Sequence, residues 1–227
     1  IVVDLGYGAT PITALELRAG LQQYVSPQVK VVGIEIDTER VEQAQDLADD
    51  SLSFIKGGFE VPTDKPVTLI RALNVLRQYE ESEVIPAWEK MSKNLLVDGL
   101  IIDGTCDEIG RRAVWVGIRK TESGDIKPET LTISVHLASL EKPSDIAPRL
   151  PKILIHRNIE GEKIHDFFTA LDSAWMKHSP LAVFGASQRW IAVCKDLRAA
   201  GWPLVGDSKR WRLGEVSVDW KAVAPRG

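Results

Sequence analysis

The sequence predicts an α/β fold with a mostly parallel sheet, antiparallel strands at its edge and a C-terminal helical covering segment. Three observations support this: short apolar segments of strand length recur over residues 1–105, helical apolar stripes separate them, and glycine turns follow several of them. Strands that are joined through helices pair in parallel with right-handed crossovers. We predict one elaborated domain, with a core including an edge hairpin over 1–139 and the covering segment over 140–227.

The composition is that of a globular protein with a sizeable core. Of 227 residues, 44% are hydrophobic and 26% are charged. No apolar run reaches the roughly 18 residues of a membrane span and no signal peptide is visible, so we expect a cytoplasmic location and no membrane partner. The two cysteines, Cys106 and Cys194, are too few for a disulfide framework or a zinc site. No metal is predicted, and Cys194 lies on an apolar helical stripe typical of core.

The formal net charge of −4 is unevenly distributed. Residues 1–139 contain 14 Lys and Arg against 22 Asp and Glu, whereas residues 140–227 contain 14 against 10. The positive balance of the second part could favour an anionic substrate, although a solvated surface is the simpler interpretation. It falls short of the basic stripe of a nucleic-acid-binding protein, so a nucleic-acid partner is not favoured.

The first 24 residues predict a strand, a glycine turn and a helix. Residues 1–5 are apolar enough for a buried strand, and Gly6-Tyr7-Gly8 follows at once. Thr10 and Pro11 predict an N-cap followed by the first helical residue. The glycines would let a ligand approach the backbone closely. The predicted helix has a core-facing stripe formed by Ala14, Leu17, Leu21 and Tyr24.

The next segment predicts a nucleoside site. Residues 30–36 form a second apolar strand that ends in Glu35, with Asp37 or Thr38 capping the following helix. An acidic residue at the tip of the second strand is the usual acceptor for a ribose diol in dinucleotide-type folds. The third glycine of the nicotinamide fingerprint is missing after Gly8, which disfavours a nicotinamide cofactor.

The run Asp4-Leu5-Gly6-Tyr7-Gly8, followed by Gly33-x-Glu35, resembles motifs one and two of the S-adenosylmethionine-dependent methyltransferases with a Rossmann-like sheet. The resemblance covers residues 1 to about 105. It implies that S-adenosylmethionine is the cofactor, with its methionine end at Asp4, Gly6 and Gly8 and its ribose at Glu35. The neighbouring Tyr7 and Ile36 complete this part of the implied cofactor site.

The whole chain also resembles methyltransferase-like proteins of actinobacteria in the runs 103–112 and 153–158. This second resemblance implies no particular substrate. In the resembled superfamily an N-terminal helix commonly closes over the cofactor. Because this sequence begins without Met, directly in a strand, an upstream segment of that kind is an open expectation.

A helix is predicted over 39–48, with Val41, Ala44 and Leu47 facing the core. The third predicted strand, 51–55, is followed by Gly57-Gly58-Phe59. The resembled family often has an acidic residue against the adenine here, but Gly58 stands at that position. Backbone contacts at Gly58 and packing of Phe59 could replace the acid. A plain glycine turn is the alternative.

The fourth predicted strand lies within 67–76 and ends near Arg71, with Asn74 and Arg77 beyond it. The Pro-Pro motif of base-modifying amino-methyltransferases is absent, which disfavours methylation of a planar exocyclic amine. We predict that Asn74 contacts the cofactor and that Arg71 and Arg77 contact an anionic acceptor. A structural salt bridge from Arg71 to Glu35 or Asp103 is the alternative.

A helix is predicted over 82–95, with Val84, Trp88, Met91 and Leu95 on one face, and a turn over 94–99. The fifth predicted strand, 100–105, precedes Cys106, Asp107 and Glu108. Thr-Cys at this place superficially resembles the nucleophile motif of the RNA cytosine-C5 methyltransferases, but two carboxylates next to Cys106 would raise the pKa of its thiol. The partner motif is also missing, so that activity is disfavoured. Asp107 and Glu108 remain candidates for a general base, as does Asp103.

The C-terminal part begins with a predicted hairpin, 113–120 and 130–137, which we place beside strand five with the last strand as an addition; a substrate-side insertion is the alternative. His156 is a candidate proton acceptor, and Arg157 a candidate substrate ligand. An amphipathic helix follows, with Ile164, Phe167, Phe168, Leu171 and Trp175 on one face.

Three functions are therefore open. The first is methyl transfer from S-adenosylmethionine, by in-line displacement, to an unidentified acceptor that we expect to be a small molecule. The second is a nicotinamide-dependent oxidoreductase or epimerase, which Glu35 permits and the glycine spacing disfavours. The third is a protein that binds S-adenosylmethionine without turnover. The sequence does not define the oligomeric state.

Overall fold

The computed structural model describes residues 1–226 and divides them into two compact units. Unit 1 consists of residues 1–103 with 118–127, and unit 2 consists of residues 104–117 with 128 onwards. Three strands, β5 (Leu95–Cys106), β6 (Arg112–Lys120) and β7 (Ile126–Val135), contribute residues to both units.

Unit 1 confirms the predicted α/β fold. Besides β5, its strands are β1 (Val2–Leu5), β2 (Val31–Glu35), β3 (Leu52–Lys56) and β4 (Val67–Leu73). The sheet has the order β3-β2-β1-β4-β5, and the pairs β1–β2, β1–β4 and β2–β3 are parallel. In the register of β1, Asp4 lies opposite both Gly33 and Arg71.

Three helices connect these strands: α1 (Ile12–Tyr24), α2 (Thr38–Ala44) and α3 (Glu81–Ser92). The expected start of α1 was one residue too early, because Thr10 does not cap it and Pro11 occupies the N-cap position. Asp37, one of two predicted caps, begins α2 by accepting hydrogen bonds from the Glu39 and Arg40 N–H groups.

Two predicted core positions are wrong. Tyr24 is 80% exposed because it is the last residue of α1, beyond the part of the helix that packs on the sheet; Ala14 is fully buried and Leu17 and Leu21 pack partly against the same core. Leu47 is 45% exposed because α2 ends at Ala44 and a tighter 3₁₀ turn turns this side chain off the helical stripe.

Strand β5 is longer than expected. Leu95, predicted as the last residue of a helical stripe, is instead its first residue, and the predicted turn at 94–99 lies mostly inside the strand. The turn signal at Asp98 is a local irregularity, since its φ of 61° interrupts the extended backbone. Strand β7 likewise begins at Ile126, earlier than the predicted Thr130.

The further elements of unit 2 are α4 (Lys152–Ile155), α5 (Lys163–Lys177), α6 (Ala186–Ala199), β8 (Leu204–Val205), α7 (Ser208–Trp211) and β9 (Glu215–Asp219). Its sheet has the order β5-β6-β7-β9-β8, in which β9 pairs antiparallel with both β7 and β8. This confirms the hairpin beside strand five and the last strand as an addition. All five predicted apolar residues of α5 are buried, and Cys194 is buried in α6.

Candidate functional site

The candidate site of unit 1 lies at the carboxyl ends of its parallel strands. Strand β1 is flanked by β2 on one side and β4 on the other, so the chain leaves β1 toward one edge of the sheet and later crosses to the other. In open α/β sheets such a switch point is where ligands bind. Most of the predicted cofactor residues follow the ends of these strands.

The glycine loop after β1 has two residues in the left-handed region, Gly6 with φ 67° and Gly8 with φ 82°. Their surroundings differ. A Cβ on Gly6 would lie 2.7 Å from a Val75 methyl group, whereas a Cβ on Gly8 would have no heavy atom within 4 Å. Gly6 is therefore required by packing against the segment after β4, and Gly8 leaves backbone open to a ligand.

Glu35, the last residue of β2, is buried and hydrogen-bonded to this loop. Its Oε2 accepts a hydrogen bond from the Gly8 N–H at 3.0 Å, and its Oε1 accepts from the N–H groups of Ile36 and Asp37 at 3.0 and 3.3 Å. The Arg40 guanidinium lies 3.8 Å from Oε1. Three backbone donors thus orient the carboxylate, and one of them belongs to the glycine loop.

Tyr7 lies in the loop, but its side chain belongs to the core. Its ring packs edge-on against Phe54 at a centroid distance of 5.4 Å, and its hydroxyl donates to the Arg40 carbonyl at 3.2 Å. Burial and the nearby Glu35 carboxylate raise the pKa of Tyr7 to about 12. Only the backbone of Tyr7 is available to a ligand in this arrangement.

The buried Asp4 and the partly buried Arg71 form an ion pair at the switch point. Arg71 Nε lies 3.0 Å from Asp4 Oδ1, and Arg71 Nη2 lies 2.9 Å from Oδ2. The Thr13 hydroxyl donates to Oδ2 at 2.7 Å, and Arg71 Nη2 donates to the Thr13 carbonyl at 2.7 Å. The expected alternative for Arg71, a structural salt bridge, is therefore present, but its partner is Asp4 and neither Glu35 nor Asp103.

The turn after β3 contains a carboxylate that the sequence reasoning missed. Glu60 Oε1 accepts a hydrogen bond from the Gly58 N–H at 2.8 Å, and Oε2 lies 3.4 Å from Lys90 Nζ. Hydrogen bonds from the Glu60 and Gly58 backbone, together with Lys90, lower the pKa of Glu60 despite partial burial. A carboxylate is therefore present in this turn, two residues after Gly58, although no acid stands at Gly58 itself.

Two apolar side chains accompany this turn and the end of β2. The half-buried Phe59 ring packs against Tyr79 at a centroid distance of 5.2 Å, and Ile36 is 71% exposed directly after Glu35. Beyond β4, Asn74 adopts φ 63°, a conformation that Asn tolerates better than most residues. Arg77 is exposed in the short 3₁₀ turn that follows.

Asp103 is a third buried carboxyl group of unit 1, on β5. It is 2% exposed, and Trp88 Nε1 donates to its Oδ2 at 3.0 Å. Burial raises the pKa of Asp103 to about 7, and the Trp88 hydrogen bond lowers it in part. Asp103 is thus held within unit 1 by α3.

The predicted catalytic candidates Asp107, Glu108 and His156 lie in unit 2, as does Arg157. Asp107 Oδ1 accepts hydrogen bonds from the Arg111 and Arg112 N–H groups at 2.7 and 3.2 Å, so its carboxylate caps the turn between β5 and β6. Glu108 and His156 are exposed, with His156 at the end of α4.

Arg157 also forms an ion pair in unit 2, since its Nη1 lies 3.2 Å from Glu162 Oε1. Within residues 1–226, no three His, Cys, Asp or Glu side chains are grouped as metal ligands. The same part of the chain has no helix with the length and apolarity needed to span a membrane.

No protein-family model matches the chain, and no curated protein matches it. Among solved structures, the chain is similar to a complex of the Trm112 methyltransferase activator from Haloferax volcanii with a proposed methyltransferase, at 25% identity and a TM-score of 0.37. That match covers 46% of this chain and 44% of the solved one.

Two other solved structures give similar values. An O-methyltransferase family 2 protein from Planctomyces limnophilus, in complex with apigenin, is 21% identical with a TM-score of 0.38, covering 46% of this chain and 31% of that one. The YcgJ protein from Bacillus subtilis is 28% identical with a TM-score of 0.34, covering 47% and 45%. The chain spans less than half the length of each of these three structures, and the likeness is partial at these TM-scores.

Proposed function

We propose that unit 1 binds S-adenosylmethionine and that the chain is a methyltransferase acting on a small-molecule acceptor. The observation that carries the proposal is the hydrogen bond from the Gly8 N–H to Glu35, 3.0 Å long, at the switch point of a parallel sheet. It joins a glycine loop with open backbone to a buried acid at the end of the neighbouring strand. This pairing suits a nucleoside, whose ribose hydroxyls donate to a carboxylate while the rest of the ligand crosses the loop.

The residues around this contact fit the proposed cofactor. The open space at Gly8 lets backbone approach a ligand closely. The exposed Ile36 and half-buried Phe59 provide apolar surface suited to an adenine ring, with the carboxylate of Glu60 at the same turn as Phe59. Asn74 is exposed after β4, and we propose that it makes a polar contact to the same ligand.

The loop favours S-adenosylmethionine over a dinucleotide. In the dinucleotide fingerprint a third glycine lets the helix pack closely on the strand, and the pyrophosphate sits at the helix N-terminus. In this chain Pro11 stands where the third glycine would be, and α1 begins only at Ile12. A nicotinamide-dependent activity is therefore the weaker candidate.

When bound, S-adenosylmethionine supplies an electrophilic methyl group on a sulfonium sulfur. The acceptor would gain this methyl group in line with the breaking sulfur–carbon bond, with S-adenosylhomocysteine as the second product and the proton of an O–H or N–H acceptor released to water. We assign no general base to this step, because alignment supplies much of the rate in such transfers. Asp107 is occupied by backbone donors, and the expected alternatives His156 and Glu108 are exposed in unit 2.

Calorimetric titration with S-adenosylmethionine, S-adenosylhomocysteine and NAD tests the proposal. We expect micromolar binding of the first two ligands, no comparable binding of NAD, and a loss of about 1–3 kcal/mol for Glu35→Ala. Glu42→Ala, an exposed acid on α2, is the matched control and should bind as the parent chain does.

Preference for NAD, or no binding of either sulfur nucleoside, would overturn the proposal. If S-adenosylmethionine binds, transfer of a labelled methyl group to any acceptor would distinguish an enzyme from a protein that only binds the cofactor. Binding without turnover across a broad acceptor panel would favour the second.

A further inference from the structure

The Asp4–Arg71 pair places a fixed cation at the site proposed for a cationic cofactor. Asp4 is 3% exposed, and the side chain of Arg71 is 19% exposed. Two guanidinium nitrogens face the two carboxylate oxygens at 3.0 and 2.9 Å. The negative charge of Asp4 is therefore neutralised by the protein itself before any ligand binds.

The pair is fixed by three elements. Asp4 is on β1, Arg71 is opposite it on β4, and Thr13 in the first turn of α1 contacts both side chains. Because Nε and Nη2 of Arg71 are engaged with Asp4 and Thr13, this guanidinium is poorly suited to the acceptor-binding role predicted for it. Its position suits a role in the charge balance of the site.

This charge balance matters because the cofactor and its product differ in net charge. At neutral pH S-adenosylmethionine has a net charge of about +1, from its sulfonium, ammonium and carboxylate groups, whereas S-adenosylhomocysteine has about zero. Sinefungin, which has an amine in place of the sulfonium, also has about +1. An unpaired carboxylate at Asp4 would favour the two cations over the neutral product by Coulomb attraction.

We propose that Arg71 is a specificity-determining residue that sets the preference between the cationic cofactor and its neutral product by neutralising Asp4. The inference rests on the proposed function. It predicts that the parent chain binds S-adenosylmethionine and S-adenosylhomocysteine with similar affinity, so that the product competes effectively with the cofactor.

The test is the ratio of the dissociation constants of S-adenosylhomocysteine and S-adenosylmethionine in variants of the full chain. Arg71→Met should raise the ratio about fivefold or more, with sinefungin following S-adenosylmethionine. Arg71→Lys, which keeps the charge, should give a ratio close to that of the parent chain. The double variant Asp4→Asn with Arg71→Met removes both charges and should return the ratio to the parent value.

Asp4→Asn alone keeps the test decisive if the uncompensated carboxylate of Arg71→Met prevents folding. It leaves the Arg71 cation unpaired, so the ratio should change in the opposite direction, with S-adenosylhomocysteine favoured. A general loss of structure would weaken all ligands together and would not reverse the preference. Arg18→Met removes another arginine ion pair of unit 1, to Asp49, and is the control for which no change in ratio is expected.

The possible failures are distinguishable. Binding of both ligands with a ratio that stays within about twofold in Arg71→Met and Asp4→Asn would overturn this inference and leave the proposed function intact. A parent chain that binds neither ligand would overturn both.

Discussion

The two compact units bury different kinds of groups. Among residues 1–226, all three buried carboxylate side chains, Asp4, Glu35 and Asp103, belong to unit 1. The largest buried side chains of unit 2 are aromatic and aliphatic, with Phe167 and Trp190 fully buried. Burying a charge is costly unless it is paired or hydrogen-bonded. Unit 1 is therefore where the chain departs from simple core packing, and such departures are typical of functional sites.

The polar groups of the two units also differ in how they are satisfied. The Glu35 carboxylate accepts three backbone hydrogen bonds, and Asp4 contacts both Arg71 and Thr13. In the described part of unit 2, by contrast, the indole N–H groups of Trp190 and Trp211 are buried without a hydrogen-bond partner. The buried groups of unit 2 are therefore held mainly by apolar packing, whereas those at the strand ends of unit 1 are held by hydrogen bonds and an ion pair.

The largest expected effect sharpens the description of unit 2 as a packed apolar core. Phe167→Ala in α5 removes a fully buried ring and should lower the free energy of unfolding by about 3–5 kcal/mol, from lost burial and the cavity left behind. Chemical denaturation measures the change. Thr169→Ala, at an exposed position of the same helix, is the control; a loss below about 1 kcal/mol for Phe167→Ala would contradict a tightly packed core.

A second test addresses the buried charge of unit 1. Burial raises the pKa of Asp103 to about 7 from an ordinary value of 3.8. Between these two pH values Asp103 is protonated in the folded chain and ionised in the unfolded chain. Its contribution to stability is therefore fully present below about pH 4 and is lost as the pH rises toward 7. Between pH 5 and pH 8 the loss should be about 2–3 kcal/mol.

Asp103→Asn should remove this dependence, because the amide oxygen still accepts from Trp88 and carries no charge. The difference in unfolding free energy between variant and parent, measured at pH 5 and pH 8, isolates Asp103 from the other titrating groups. Asp64→Asn, at an exposed position of unit 1, should show no such change. Equal pH dependence of the unfolding free energy in Asp103→Asn and the parent would contradict a buried position that disfavours the ionised carboxylate.

The two glycines of the loop offer a smaller and more selective test. Gly6→Ala and Gly8→Ala both place a Cβ on left-handed backbone, which costs about 1–2 kcal/mol. Only Gly6→Ala also meets Val75, at 2.7 Å, so it should cost more than Gly8→Ala by a further 1 kcal/mol or so. Thermal unfolding of both variants measures the order, and the reverse order would contradict the loop geometry.

The smallest expected effect lies on the surface of unit 2. Lys177 forms an ion pair with Asp196 at 2.7 Å, and its side chain is 63% exposed. Lys177→Ala should change the unfolding free energy by no more than about 0.5 kcal/mol, because exposed ion pairs contribute little. A loss above about 1.5 kcal/mol in chemical denaturation would contradict the view that unit 2 is stabilised mainly by its buried apolar residues.

The sequence predicted the alternation of elements well because apolar periodicity and glycine turns are local signals. It placed Glu35 at the end of β2 and the glycine loop after β1, as the structure has them. The ends of elements were less predictable. Leu47 follows a helix that tightens into a 3₁₀ turn, and Leu95 changes from a helical stripe to a strand; neither change has a strong signal in neighbouring residues.

Contacts between distant residues could not be predicted from the sequence. Asp4 and Arg71 are 67 positions apart and meet because the parallel register of β1 and β4 places them opposite each other. Even the local hydrogen bond from the Gly58 N–H to Glu60 depends on a turn geometry that no simple pattern specifies. Such contacts decide which polar side chains remain available to a ligand.

The most direct test of the central claim is an NMR titration that follows the backbone amides of Gly8 and Ile36, which both donate to Glu35. Addition of S-adenosylmethionine should shift both signals in a saturable way, with the same dissociation constant that calorimetry gives, and NAD should not. Saturable binding that leaves both amides unchanged would place the ligand elsewhere and contradict the account of the site.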